Sequence, residues 1–148
     1  MISLVGFLRR HRRIALDTNV FIYHLEANPT YSLLTGEIFT WIERGGHSAV
    51  TSTITMTELL VAPYRELDEA QVNSFYGLLT TFPNLDWTPL RLSIADKAAQ
   101  IRAAHRLRTP DAVQAATAIA EQATGFVTND PVFRRVSDFE TLLLDDVA

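Results

Sequence analysis

Short apolar runs alternate along the chain with longer stretches whose apolar positions recur every three or four residues. Ile14-Ala15-Leu16 predicts a short strand, ended by the turn-forming Asp17-Thr18-Asn19. Val20, Phe21, His24, Leu25 and Ala27 then fall at helical spacing up to Pro29. A second helix is predicted over residues 31–43, stopped by Gly45-Gly46. Residues 47–51 read as a strand, 55–64 and 68–81 as helices, and Leu85-Asp86-Trp87 as a strand before Pro89. Two Ala-rich helices follow over 91–107 and 110–123, the second opened by Thr109-Pro110. Residues 125–128 and 141–144 supply the remaining strands.

Strands alternating with helices, often two helices per crossover, predict an α/β domain of three layers. Its centre is a mostly parallel sheet of about five strands, flanked by helices on both faces. No repeat or linker-like stretch divides the chain. One domain is therefore expected over residues 13–148, preceded by a basic extension of residues 1–12 that reads as a helix, a basic RNA arm or an overcalled start. Because the strand pattern begins at Arg13, removal of the extension is expected to leave the fold intact.

With 148 residues, 47% of them hydrophobic, the chain can bury a core, and disorder is excluded. The absence of cysteine excludes a disulfide scaffold, thiolate nucleophiles and zinc–thiolate or iron–sulfur sites. No apolar run approaches the roughly 18 residues of a membrane span. At the N-terminus MISLVGFL precedes the bases, the reverse of a secretory signal, so a soluble cytoplasmic protein is expected. Formal charge is −4, yet it is unevenly spread. Arg9, Arg10, Arg12 and Arg13 form one basic cluster, and Arg91, Lys97, Arg102, Arg106 and Arg108 a second. Acids collect instead at Asp138, Glu140, Asp145 and Asp146.

In parallel sheets the ligand crevice lies beyond the carboxyl ends of the strands. Four acids stand there or at helix starts: Asp17, Glu58, Asp111 and Asp130. Each also has a purely structural reading. Asp17 and Asp130 suit N-caps, Glu58 the last position of a Thr55–Glu58 capping box, and Asp111 the dipole of its helix. As a group they are harder to explain by capping. Convergent carboxylates repel, and one must take up a proton unless a cation joins them. An all-oxygen acidic site without cysteine suits a hard cation, Mg²⁺ or Mn²⁺, and such a site hydrolyses phosphodiesters with metal-activated water. Setting these four aside leaves 13 acids against 13 bases (17 − 4 = 13), so the loaded protein as a whole would not repel a polyanion.

At these residues the sequence resembles the PIN-domain nucleases, particularly the VapC-type toxins of bacterial toxin–antitoxin pairs. The likeness rests on Ile14-Ala15-Leu16-Asp17-Thr18-Asn19-Val20, on the run from Thr51 to Leu59, on Thr109-Pro110-Asp111-Ala112-Val113-Gln114-Ala115-Ala116, and on the run from Gly125 to Phe133. Thr141-Leu142-Leu143-Leu144 resembles the closing strand. The resemblance covers about residues 13–146. It implies a PIN-like fold and a Mg²⁺- or Mn²⁺-dependent endoribonuclease whose metal and catalytic residues are Asp17, Glu58, Asp111 and Asp130. Asn19 and Thr128 would orient them or hold water. It also implies an RNA substrate, a homodimer, and a small antitoxin whose C-terminal segment blocks the site.

Three other readings belong to different classes. A non-catalytic RNA-binding module on the same fold would be expected to have lost some of the acids. A DNA-acting nuclease would share every one of these residues. A phosphatase of the haloacid-dehalogenase type needs a second Asp where Asn19 stands. Neither a G-x-G-x-x-G nor a phosphate loop occurs among the six glycines. Of the remaining polar residues, His11 and His47 read as surface, His24 and His105 as packed or rim, Trp41 and Trp87 as core, and Arg102, Arg106 and Arg108 as a solvated face.

Overall fold

A computed structural model describes residues 2–148. Five strands form one all-parallel sheet: β1 (Arg13–Leu16), β2 (Ser48–Ser52), β3 (Leu85–Thr88), β4 (Gly125–Thr128) and β5 (Glu140–Leu143), in the order β3-β2-β1-β4-β5. The helices are α1 (Leu4–Arg10), α2 (Thr18–Leu25), α3 (Ser32–Glu43), α4 (Thr53–Arg65), α5 (Glu69–Thr80), α6 (Leu92–His105) and α7 (Thr109–Ala120). Three-residue-per-turn helical segments follow at Pro131–Arg135 and Leu144–Asp146. The expected α/β layering and parallel sheet are therefore present.

Side chains alternate across the sheet as the pleat requires. Ile14, Leu16, Ala49, Val127 and Leu142 face one core with α1, α2 and α3, while Ala15, Val50 and Phe126 face the other with α6 and α7. Strands buried on both faces need continuous apolar runs, and this is why β1 and β4 are so short yet so hydrophobic. Because β1 sits mid-sheet, the chain runs outward to β2 and β3 on one side and to β4 and β5 on the other. The crevice between β1 and β4 is a topological switch point, where α/β sheets bind ligands.

The extension is where the structure departs most from the sequence reading. Ser3 caps α1, accepting from the Gly6 amide at 3.0 Å. Leu4, Phe7 and Leu8 are buried in the same cluster as Ile14 and Leu16. Phe7 presses on Gly125, where an added Cβ would come within 2.6 Å of the ring. Arg10 and His11 fasten to Glu140 of β5. No break in packing sets this segment apart, so the expectation that it could be removed without harm is withdrawn. Nor does it reach toward the acids as an arm. Its C-terminal end is fastened at the amino edge of the sheet, and the helix lies beside α3.

Candidate functional site

Asp17 ends β1 and begins α2. Its amide extends the β1–β4 ladder to the Val127 carbonyl at 3.0 Å, which locks its position at the carboxyl edge. One carboxylate oxygen accepts from the Thr18 amide at 2.9 Å and the other from the Thr128 hydroxyl at 2.7 Å. The residue is buried, at 8% exposure. Burial pushes the Asp17 carboxyl up to about 6; the bonds from Thr128 and Thr18 oppose this, and the charges of Asp111 and Glu58 add to it.

Asp111 stands half-buried in the first turn of α7, whose N-terminus has no side-chain cap. Burial raises its pKa; Arg108, with Nε 3.3 Å from Oδ2, pulls the other way, and the charge of Asp130 adds to the rise. Asp130 caps the segment Pro131–Arg135, accepting from the Val132 amide at 3.0 Å, while its own amide donates to the Thr128 hydroxyl at 3.0 Å. Thr128 thus ties Asp17 to the Asp130 turn. Glu58 does not complete a capping box. Ser52 is the cap of α4, accepting from the Ile54 amide at 3.2 Å, so Glu58 falls in the second turn. There its Oε1 accepts the Thr18 hydroxyl at 2.7 Å.

All four acids therefore reach one end of the sheet, coupled in pairs through their charges. Two of them, Asp17 and Asp130, also act as the caps that the sequence suggested. As they stand, no three acids or histidines among the described residues are close enough to hold one ion together. The donor set nevertheless fits a hard divalent cation in kind, being all oxygen and mutually repulsive. Asn19 adds to this fit, because its Oδ1 is buried with no hydrogen-bond partner. Asp17, Glu58, Asp111, Asp130 and the Asn19 carbonyl are the groups available to such an ion.

Behind the acids lies a buried polar chain that periodicity did not reveal. Thr51, Thr55, Thr18 and Gln114 join strand β2 to helices α4, α2 and α7. The available signal was Gln114 itself, a lone amide among Ala and Val on a buried helix, three residues after Asp111. A second set fixes the turn after β4. Asn129 donates to the Tyr23 hydroxyl at 3.3 Å and accepts from the Asp145 amide at 2.9 Å; the Tyr31 hydroxyl bonds Asp145, and Tyr23 stacks on Tyr31 at 4.3 Å.

Several polar side chains read as surface are structural. His11 is enclosed between Phe7, Thr124 and Glu140, and His47 stacks on Trp41 at 3.7 Å while bonding its carbonyl. Arg102 clamps the α6–α7 turn through the Leu107 carbonyl and the Thr109 hydroxyl, both at 3.0 Å. His24 packs against Phe39, as its helical position implied. Beside Glu58 a cleft of about 240 Å³ opens between α2, α4 and α5. Leu25, Leu59 and Phe75 give it apolar walls, and Glu26 and Glu66 add to its acidity.

Comparison with known proteins agrees with this geometry. Among curated proteins no sequence match is found. Solved structures of similar fold include DNA-bound VapBC from Salmonella typhimurium, 20% identical, with a TM-score of 0.69 over 89% of this chain and 98% of that one. VapBC2 from Rickettsia felis, bound to a promoter DNA fragment, is 18% identical, with a TM-score of 0.67 over 88% and 98%. FitAcB from Neisseria gonorrhoeae is 22% identical, with a TM-score of 0.65 over 90% and 99%. The family model for the PIN domain matches residues 14–138, a span that begins in β1 and takes in all four acids. The chain belongs to the PIN domain family.

Proposed function

We propose that this protein is a metal-dependent endoribonuclease, the VapC-like toxin of a toxin–antitoxin pair. The observation that carries the reading is the state of Asp17. A buried carboxylate with two neighbouring acids is costly to keep in a protein that uses it only as a cap. Asp17, Asp111 and Asp130 would hold Mg²⁺ or Mn²⁺, with Glu58 as a further ligand or the group that orients water. When bound, the cation neutralises phosphate charge and makes water a nucleophile near neutral pH.

The chain's own residues do the rest. Thr128 and the Thr18 amide hold Asp17 in one rotamer. Glu58, fixed by Thr18, can accept a proton from water on the exposed side of the site. Arg108, exposed and able to swing from Asp111, offers a fork to a phosphodiester oxygen. The acid-rimmed apolar cleft beside Glu58 suits a basic, amphipathic antitoxin segment. The resemblance implies a homodimer, and we extend that assembly to this protein.

The test is cleavage of fluorescent single-stranded RNA and DNA with Mn²⁺. RNA should be cut. Asp17→Asn should lower the rate at least about a hundredfold, the scale for one electrostatic element of a hydrolytic site. Wild-type-like cleavage by Asp17→Asn would end the reading. DNA cut in preference to RNA would move it to a DNA-acting nuclease.

A further inference from the structure

We infer that Gln114 positions Glu58 through Thr18, by holding in place the hydroxyl whose hydrogen Glu58 receives. The inference rests on the nuclease reading above and assigns two positioning residues to the same site. Gln114, Thr18, Thr51 and Thr55 are all buried, at 3%, 6%, 1% and 0% exposure. Buried polar groups must find partners within the protein.

The hydrogens can be followed one at a time. Thr51 donates to the Leu16 carbonyl at 2.9 Å, so in its 2.7 Å contact with Thr55 it accepts. Thr55 thereby spends its only hydrogen on Thr51. The Gln114 amide donates to the Thr55 oxygen at 2.7 Å and to the Thr18 oxygen at 3.3 Å. Thr18 then has one hydrogen and two acceptors in reach, Glu58 Oε1 at 2.7 Å and Thr55 at 3.1 Å. Glu58 takes it, being the nearer and the charged acceptor. Without the amide, the Thr18 and Thr55 oxygens lose the shared donor that ties them to α7, and the hydroxyl that aims Glu58 is no longer held in one place. The other end of the chain is the carbonyl of Leu16, the residue before Asp17. Glu58 on α4 is therefore referenced to the strand that carries Asp17.

A merely satisfied core glutamine would give the same burial, so the experiment must separate the two. Gln114→Met keeps length and removes the donor; Thr18→Val removes the hydroxyl and Thr18→Ser restores it. With single-stranded RNA and saturating Mn²⁺, Gln114→Met and Thr18→Val should each lower kcat about tenfold or more with KM little changed. Thr18→Ser should stay within about threefold of wild type. In spectra of the metal-free protein, the Gln114 side-chain amide should exchange slowly with water and shift on Thr18→Val. Undiminished kcat in Thr18→Val, equal damage from Thr18→Ser, or a fast-exchanging Gln114 amide would overturn the inference. If Gln114→Met fails to fold, the two Thr18 variants and the amide exchange decide. Wild type that cuts no RNA would instead sink the nuclease reading, a separate result.

Discussion

At the amino edge of the sheet, opposite charges meet. Glu140 takes the Arg10 guanidinium at 3.1 and 2.8 Å and His11 at 2.6 Å; Arg13 reaches Asp86 at 2.8 Å, and Arg91 reaches Glu121 at 3.0 Å. At the carboxyl edge Asp17, Glu58, Asp111 and Asp130 converge, and Arg108 is the one base paired with any of them among the described residues. The strands between are only four or five residues long. The edges differ in purpose. One pairs its charges around a helix that buried Leu4, Phe7 and Leu8 hold against the sheet. The other keeps like charges together at a cost to the fold, which the proposed cation would offset.

Three changes test this contrast, from the largest expected effect to the smallest. Phe7→Ala removes a fully buried ring from the amino edge and should lower stability by about 3–5 kcal/mol. For a domain of this size that is a fall of roughly 10 °C or more in melting temperature. Its RNA cleavage per folded molecule should be unchanged below the melting range. A melting curve like wild type would show that α1 is only laid on the surface.

Asp17→Asn should act in the opposite direction. The Asp17 carboxyl is held at about 6 in the fold against 3.8 for a free side chain, so the native state binds the proton more tightly than the unfolded chain does. This group's contribution is complete below about pH 4 and is lost as pH rises through 6, costing about 2–3 kcal/mol of apo stability by pH 8. Metal-free Asp17→Asn should therefore melt higher than wild type at pH 8 and close to it at pH 4. Adding Mn²⁺ at pH 8 should stabilise wild type and do little for the variant. A variant that melts lower at pH 8 would mean Asp17 serves the fold, as the amino-edge charges do.

The smallest effect belongs to Glu140→Gln. Arg10 and Glu140 are about half exposed, so water and salt already screen the pair. The amide still accepts from His11. Melting should change by little, and less still in 0.5 M salt. A large loss would give the exposed pair a weight the geometry does not support.

The sheet, its parallel sense and the four acids were legible because each rests on local pattern: apolar runs of strand length, and acids directly after them. What escaped was set by contacts distant in sequence. The apolar positions of residues 2–8 match a buried helix as well as a basic arm, and only β4 and β5 decide between them. Thr55 to Glu58 has capping-box spacing, but the helix starts earlier because Ser52 ends β2 with a free hydroxyl for the Ile54 amide. Gln114 is invisible to periodicity, since its partners come from β2, α2 and α4.

Gly125 gives the first helix its place, and the timing follows from the distance along the chain. Phe7 needs a residue 118 positions later, and Arg10 needs Glu140, 130 positions on. During synthesis α1 can meet β1 and α3 first, but its full seat must wait until β4 and β5 have been made. The amino-edge core closes only after Asp17, Glu58, Asp111 and Asp130 have all been translated. A ribosome that stalls before Gly125 carries three of the four acids on a chain that cannot yet seat its first helix.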